Sequence, residues 1–329
     1  MSNHRKGTKM KKAQIPFQFI FAVLVGGVIL FLALFATSKY VNLQRYQYDT
    51  EIAAKLSVLF NPVESSIAEA TATRIDLPVL TRMQLSCVYS GIGREDLKIA
   101  TFSTFGEEWQ EYGATQNIYN KYIFSKFQEG KKLYIFSKPF GMPFKVADLI
   151  YAVMQEYCFI SPPEPVASEL SQMNMSNLYS VYKKSDCKKG SKTVCFQNSA
   201  CDVNVFGQCY GSCNDLYDYG IVENREGSKV ELMYYTGMPL MYAAIFSDAG
   251  LYKCNVQRLM YRLNLVSKLY AEKAKLLDAR GCGTGKLKDK LNTLSVQALY
   301  LLKSDNIQQI QGFANQADIA NSGMVCKVF

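Results

Sequence analysis

Ten cysteines and one histidine set the limits on the chemistry this 329-residue chain could carry. The cysteines are Cys87, Cys158, Cys187, Cys195, Cys201, Cys209, Cys213, Cys254, Cys282 and Cys326, and the histidine is His4. Thiolates can bind zinc, act as nucleophiles or exchange disulfides, and each role needs a particular neighbourhood. The five cysteines of 187–213 are separated by seven, five, seven and three residues, so they offer no paired Cys-x2-Cys knuckle. Cys209-Tyr-Gly-Ser-Cys213 has one residue too many for a redox Cys-x-x-Cys, with no base at hand. With the only histidine at position 4, no Ser-His-Asp or Cys-His system and no histidine-ligated metal can form in the body of the chain. An even set of cysteines, all beyond residue 86, instead fits an oxidising compartment and up to five disulfides.

Carboxylate chemistry survives that exclusion, since glycoside cleavage needs only two acids at a suitable distance. Glu107, Glu108, Asp215 and Asp218 are the candidates, and nothing in their surroundings separates them from solvated surface acids. Gly281-Cys-Gly-Thr-Gly-Lys286 lacks the glycine interval and the hydroxyl residue of a phosphate loop, and reads as a turn between helices. Asn174-Met-Ser176 is a lone acceptor triplet for an N-linked glycan in a polar stretch, a triplet that also arises by chance. No catalytic, cofactor-binding or metal-ligating residue is assigned, so the expectation is a protein without a cofactor that is not an enzyme.

The elements that would position these groups begin with an apolar run. Residues 15–37 are 23 consecutive residues without a charge, about 34 Å as a helix and enough to cross a bilayer core of about 30 Å. Arg5, Lys6, Lys9, Lys11 and Lys12 precede it with no acidic residue. The positive-inside rule therefore predicts a cytoplasmic tail (1–14), a membrane span in contact with lipid (15–37) and an extracytoplasmic remainder. A cleaved secretory signal is the alternative, with Ala36-Thr37-Ser38 as its site, but such apolar regions run to only about 7–15 residues. Ala22, Gly26 and Gly27 would permit close helix packing in the membrane.

Lys11-Lys12-Ala13-Gln14, leading straight into that run, resembles the class III signal of archaeal type IV pilin-like proteins. The resemblance covers some 25 residues of the 329. It implies cleavage between Ala13 and Gln14 and an apolar helix able to drive subunit assembly. Gln18 stands where many members of that family carry a glutamate.

The formal charge of +9 belongs largely to the tail. Removing its five basic residues leaves 37 − 5 = 32 basic against 28 acidic residues, or +4. That is an ordinary surface, so no nucleic-acid partner is expected. The 49% apolar content and 22 tyrosines call for a packed domain.

Helix should continue through 38–60 and restart at Asn61-Pro62-Val63-Glu64, running to about Ala70. Strands are expected at 74–80, 84–90 and 97–103, and the identical pentapeptides 122–126 and 134–138 (Tyr-Ile-Phe-Ser-Lys) read as a hairpin around Gly130. Residues 145–157 read as helix, from Val146, Leu149, Ile150 and Val153. Ser161-Pro-Pro-Glu-Pro165 is the expected boundary between a 73–160 portion and a 161–249 portion holding the cysteine-rich loop and a hairpin near 224–228. The juxtamembrane segment is 38–72, and helices fill 250–329.

A helix over 253–280 separates Cys254 from Cys282 by about 40 Å, so these two cannot bond each other. Helices at 286–303 and 306–320 would return Cys326 to Cys282. That predicts a Cys282–Cys326 disulfide and turns Cys254 towards the earlier part of the chain, with the other pairings open. The resulting fold class is α+β: one transmembrane helix, then a disulfide-rich mixed ectodomain ending in a helical hairpin or bundle. The functional expectation is a single-pass cell-surface structural or interaction protein, and the resemblance implies a pilin-like, self-associating form of it. A ligand-binding or adhesion ectodomain that never polymerises, and a carboxylate-based ectoenzyme acting on glycans, stand as alternatives.

Overall fold

The computed structural model describes residues 17–66, 73–103, 107–208, 218–301 and 307–329. The chain divides into two units, Met1–Tyr48 and Asp49–Phe329. The first unit is, over its described residues, the opening part of helix α1 (Phe17–Ser66), and every described side chain from Phe17 to Tyr48 is exposed. The later part of α1 belongs to the second unit. No new helix starts at Asn61: α1 runs unbroken through Pro62 to Ser66. A proline there removes one backbone hydrogen bond without ending the helix, because the packing of Ala53, Leu56 and Phe60 holds the turns just before it. The expected end near Ala70 lies outside the described residues.

The second unit contains two mixed sheets. The first is built from β1 (Thr73–Val88), β2 (Arg94–Ser103), β3 (Glu108–Trp109), β4 (Gln116–Tyr119), β5 (Tyr122–Phe124), β6 (Gln128–Gly141) and β7 (Lys145–Val153). Its order is β3-β2-β1-β6-β7-β5, with β4 also paired to β2. The segments 74–80 and 84–90 merge into the single long β1, whose pairing with β6 is interrupted between Asp76 and Thr81. Pro78 falls in that gap, where it has no ladder bond to withhold.

Two expectations are corrected here. Residues 145–153 are strand β7, not helix. The strand is buried on both faces, Ala147, Leu149 and Tyr151 on one and Ile150 and Ala152 on the other, so its apolar residues fit either period. The two Tyr-Ile-Phe-Ser-Lys segments are not hairpin partners: β5 pairs in parallel with one side of β7, and β6 pairs antiparallel with the other. Their identity still has a physical basis. Phe124 and Phe136 both lie opposite Tyr151, while Ile123 and Ile135 face the other way beside Ile150 and Ala152.

The second sheet is formed by β8 (Tyr157–Ile160), β9 (Leu178–Val181), β10 (Lys192–Phe196), β11 (Val203–Gln208), β12 (Tyr219–Glu226) and β13 (Lys229–Thr236), in the order β13-β12-β11-β10-β8-β9. β12 and β13 form a hairpin that closes on Glu226 and Lys229. Ser161-Pro-Pro-Glu-Pro165 opens helix α2 (Glu164–Met173), which connects β8 to β9, paired neighbours in this sheet.

Helix α3 (Gly237–Phe246) touches β5, β6 and β7 of the first sheet and β12 and β13 of the second. Every residue from Leu240 to Phe246 is buried, as a helix enclosed between layers requires. Its Phe246 ring meets Phe136 at 5.8 Å and Tyr157 at 5.0 Å, and Tyr151 donates its hydroxyl to Pro239 O at 2.7 Å. Helices α4 (Ala249–Asp278), α5 (Gly285–Tyr300) and α6 (Gln309–Ser322) follow, with α4 packed on α5 and α5 on α6. Asp248 caps α4 by accepting from Leu251 N at 2.8 Å.

Candidate functional site

The most distinctive feature is the contrast between the two parts of α1. In the first unit, Phe17, Phe19, Phe21, Leu24, Phe31 and Leu34 are all more than half exposed. The helix has a mean hydropathy of 2.9 over its most apolar stretch, none of it buried, which makes it a candidate membrane span. In the second unit the pattern becomes a seam. Asp49, Ala53, Leu56 and Phe60 recur at intervals of four, three and four and are buried against the first sheet. Beneath them lie Met83, Leu97, Ile99, Leu133 and Ile135.

Polar contacts fix the start of this seam. Thr101 donates its hydroxyl to Asp49 Oδ1 at 2.7 Å, and the fully buried carboxylate thereby gains a partner. Ala114 N donates to Thr50 Oγ1 at 2.9 Å. Gly113 approaches so closely that a Cβ on it would stand 2.8 Å from Thr50 N and 3.0 Å from the Asp49 carbonyl carbon. On the outer side of the helix, Glu51 and Lys55 pair at 2.7 Å while largely exposed, a contact worth little.

A second polar cluster fastens α4 to the first sheet. Glu95 of β2 accepts from Ile123 N at 2.7 Å and from Arg258 Nη1 at 3.2 Å. Arg258 also donates to Asn255 Oδ1 at 2.7 Å and through Nε to Ile92 O at 2.8 Å, and Asn255 donates to Ile123 O at 3.0 Å. The guanidinium lies 4.8 Å from the centre of the Tyr122 ring. Burial pushes the Glu95 carboxyl up to about 7, against the pull of Arg258 and the bond from Ile123. A carboxyl with such a value would suit an acid or base in catalysis. Here both Glu95 and Arg258 are wholly inaccessible, so no substrate reaches them. Their arrangement joins α4 to β2, β5 and the turn at Ile92. The Cys87–Cys254 disulfide ties α4 to β1 close by.

Sequence patterns did not single out this cluster. Val256, Val266, Tyr270 and Leu277 recur at helical spacing along α4, yet they are only half-buried. Asn255, Arg258, Asn264 and Ser267 are buried with Leu259 and Leu263. Four polar residues at helical spacing among apolar ones were the available signal.

Eight cysteines form four disulfides: Cys87–Cys254, Cys158–Cys187, Cys195–Cys201 and Cys282–Cys326. Cys209, Cys213, Asp215, Ala13 and Gln14 lie outside the described residues. Glu107 and Glu108 are exposed at the β3 edge of the first sheet, whereas Asp218 stands at the entry to β12 in the second. The described acids among these candidates therefore fall on different sheets. Gly281 and Gly283, with φ of +88° and +61°, form the turn from α4 to α5, and the Thr284 hydroxyl bonds back to Ala274 O. Among the described residues no group of three or more His, Cys, Asp or Glu side chains could hold a metal ion. A cleft of about 390 Å³ between β13 and α4 is lined mainly by Leu232, Met233, Tyr234, Tyr252, Val256 and Ile307. Compared with known proteins, the chain matches no family model, no curated protein and no solved structure.

Proposed function

We propose that this chain is a single-pass membrane-anchored protein of the cell surface with a structural or interaction role. In this reading the basic residues 1–14 stay in the cytoplasm, the apolar part of α1 spans the bilayer and the disulfide-bonded domain lies outside. One observation carries it: α1 is apolar through residue 37, its described side chains are exposed up to Tyr48, and it then becomes a buried seam beneath a sheet from Asp49 onward. A lipid environment accounts for the first pattern and a folded domain for the second. The four disulfides support an oxidising compartment. The Lys11-Lys12-Ala13-Gln14 junction adds a pilin-like version, in which cleavage after Ala13 frees α1 to pack with α1 of other copies.

A second reading is a ligand-binding ectodomain that does not polymerise. The apolar cleft between β13 and α4 favours it, being of a size suited to a small hydrophobic ligand.

Intact-mass spectrometry of the protein extracted from its own membrane tests these readings. A mass lacking residues 1–13 supports the pilin-like version, and an intact N-terminus rules it out. A mass gain on reduction of at least about eight units, two for each of the four disulfides, supports export. Free thiols in the unreduced protein would overturn export itself.

A further inference from the structure

We infer that Asn174 is the attachment site of an N-linked glycan, an inference that rests on the extracytoplasmic reading of the domain. Asn174-Met175-Ser176 is the only Asn-x-Ser/Thr triplet in the sequence. A chance triplet would fall as readily in a buried strand or helix. This one falls on the turn from α2 to β9, with Asn174 as the C-cap of α2 in left-handed conformation (φ 47°, ψ 41°).

The surroundings aim the acceptor outward. Met173 and Met175, on either side, are each only 6% exposed and belong to the core, and Asn177 is buried and donates to Gln155 O at 3.2 Å. Asn174 and Ser176 are exposed. The fold thus buries residues 173, 175 and 177 and presents the acceptor and the hydroxyl residue that specifies it. Among the described residues the Asn174 side-chain amide has no hydrogen-bond partner. A sugar on its nitrogen therefore displaces no protein contact and meets solvent.

The covalent step balances with a lipid-linked oligosaccharide as donor. The Asn174 Nδ2 forms a bond to the anomeric carbon, and the anomeric carbon–oxygen bond to the polyprenyl phosphate breaks. The phosphate leaves with the electron pair, and one amide proton is lost to base. In the folded domain Ser176 Oγ lies 2.6 Å from Tyr134 Oη, so the hydroxyl that specifies the acceptor is already engaged. Transfer therefore precedes the docking of this turn on β6.

Peptide mass spectrometry of the membrane-extracted protein tests the site. The peptide holding Asn174 should carry a mass increment of whole sugar residues, with fragment ions placing it on Asn174. Asn174→Gln and Ser176→Ala should abolish the increment, and Ser176→Thr should retain it. Tyr134→Phe, which removes the contact to Ser176 and keeps the acceptor motif, should also retain the increment, separating loss of the motif from loss of that contact. An Asn174 peptide found only at its unmodified mass overturns the inference, as does an increment that survives Ser176→Ala. If Asn174 is bare while the disulfides are formed, the glycan inference fails alone. If Asn174 is bare and the thiols are free, the export reading fails with it.

Discussion

Both sheets pack on the apolar helix α3, but the first also meets α1 and α4 through buried charged and polar groups and one long-range disulfide, whereas the disulfides of the second are short and local. On the first, Asp49 bonds Thr101, Glu95 pairs with Arg258, and Gln128 bridges Ala152 O and Met154 N at 2.6 Å each. Its disulfide joins residues 167 apart. On the second, Cys158–Cys187 and Cys195–Cys201 span 29 and 6 residues, and α3 covers the sheet with Leu240, Ala244 and Phe246. The second arrangement resists a change of pH but depends on oxidation. The first depends on burial, which alone makes its charged and polar contacts strong.

The largest effect expected from breaking this contrast is covalent. Closing a loop of about 168 residues removes about 5 kcal/mol of chain entropy from the unfolded state, and closing one of about 7 removes about 2.4 kcal/mol. The double variant Cys87→Ala/Cys254→Ala should therefore lose about twice the stability lost by Cys195→Ala/Cys201→Ala, measured by denaturant unfolding of the detergent-solubilised protein. Equal losses would mean that chain entropy is not what the long disulfide contributes.

Next comes the buried ion pair. At pH 8, Glu95→Ala leaves the Arg258 charge buried without its carboxylate partner, which costs about 3–5 kcal/mol. The pH dependence carries a definite sign. The Glu95 carboxyl is raised from 4.5 to about 7 in the folded state, chiefly by burial. Between those values the folded protein holds a proton that the unfolded chain has released. The stabilisation from this proton is complete below about 4.5 and is lost as the pH rises through about 7. Unfolding midpoints of the natural protein should accordingly fall between pH 5 and pH 8 relative to those of Glu95→Gln. Parallel profiles for the two proteins would show that Glu95 is ionised throughout, with Arg258 outweighing burial.

Parts of the fold were readable in the sequence because one period dominated. α4, α5 and α6 follow a 3.6-residue repeat over long stretches, and the β12–β13 hairpin is marked by Gly227, which needs its φ of +62°. β7 was not readable, because a strand covered on both faces carries apolar residues on both, and Val146, Leu149, Ile150 and Val153 match a helical stripe as well as a strand. The pairing of β5 and β6 failed for a different reason. Closeness in sequence favours a hairpin, but two strands of one sequence can flank a third whose faces both of them match. The apolar, exposed part of α1 was legible from composition alone. Its buried seam was legible only in part, since Ile52, Leu56 and Phe60 show helical spacing while the burial of Asp49 depends on Thr101 far along the chain. The Glu95–Arg258 cluster was hidden in the same way: its members are 163 residues apart and separately look like surface charges.

The smallest effects separate packing from backbone conformation, one glycine on each sheet. Gly113→Ala puts a Cβ within 3.0 Å of α1 backbone atoms at Asp49 and Thr50, and neither backbone can retreat without disturbing the Thr101 or Ala114 bonds. A clash of this kind costs about 1–3 kcal/mol. Gly227→Ala meets nothing within 4 Å and pays only for a left-handed residue in the hairpin, about 1 kcal/mol. The two variants should also differ in where they act. Hydrogen exchange should quicken in α1 from Asp49 onward for Gly113→Ala, and only around the β12–β13 turn for Gly227→Ala. If Gly113→Ala leaves exchange in α1 unchanged, the loop yields instead of the helix. The close approach at Asp49 and Thr50 would then be a contact the domain can release, and the apolar burial of Ala53, Leu56 and Phe60 would hold that part of the helix to the sheet.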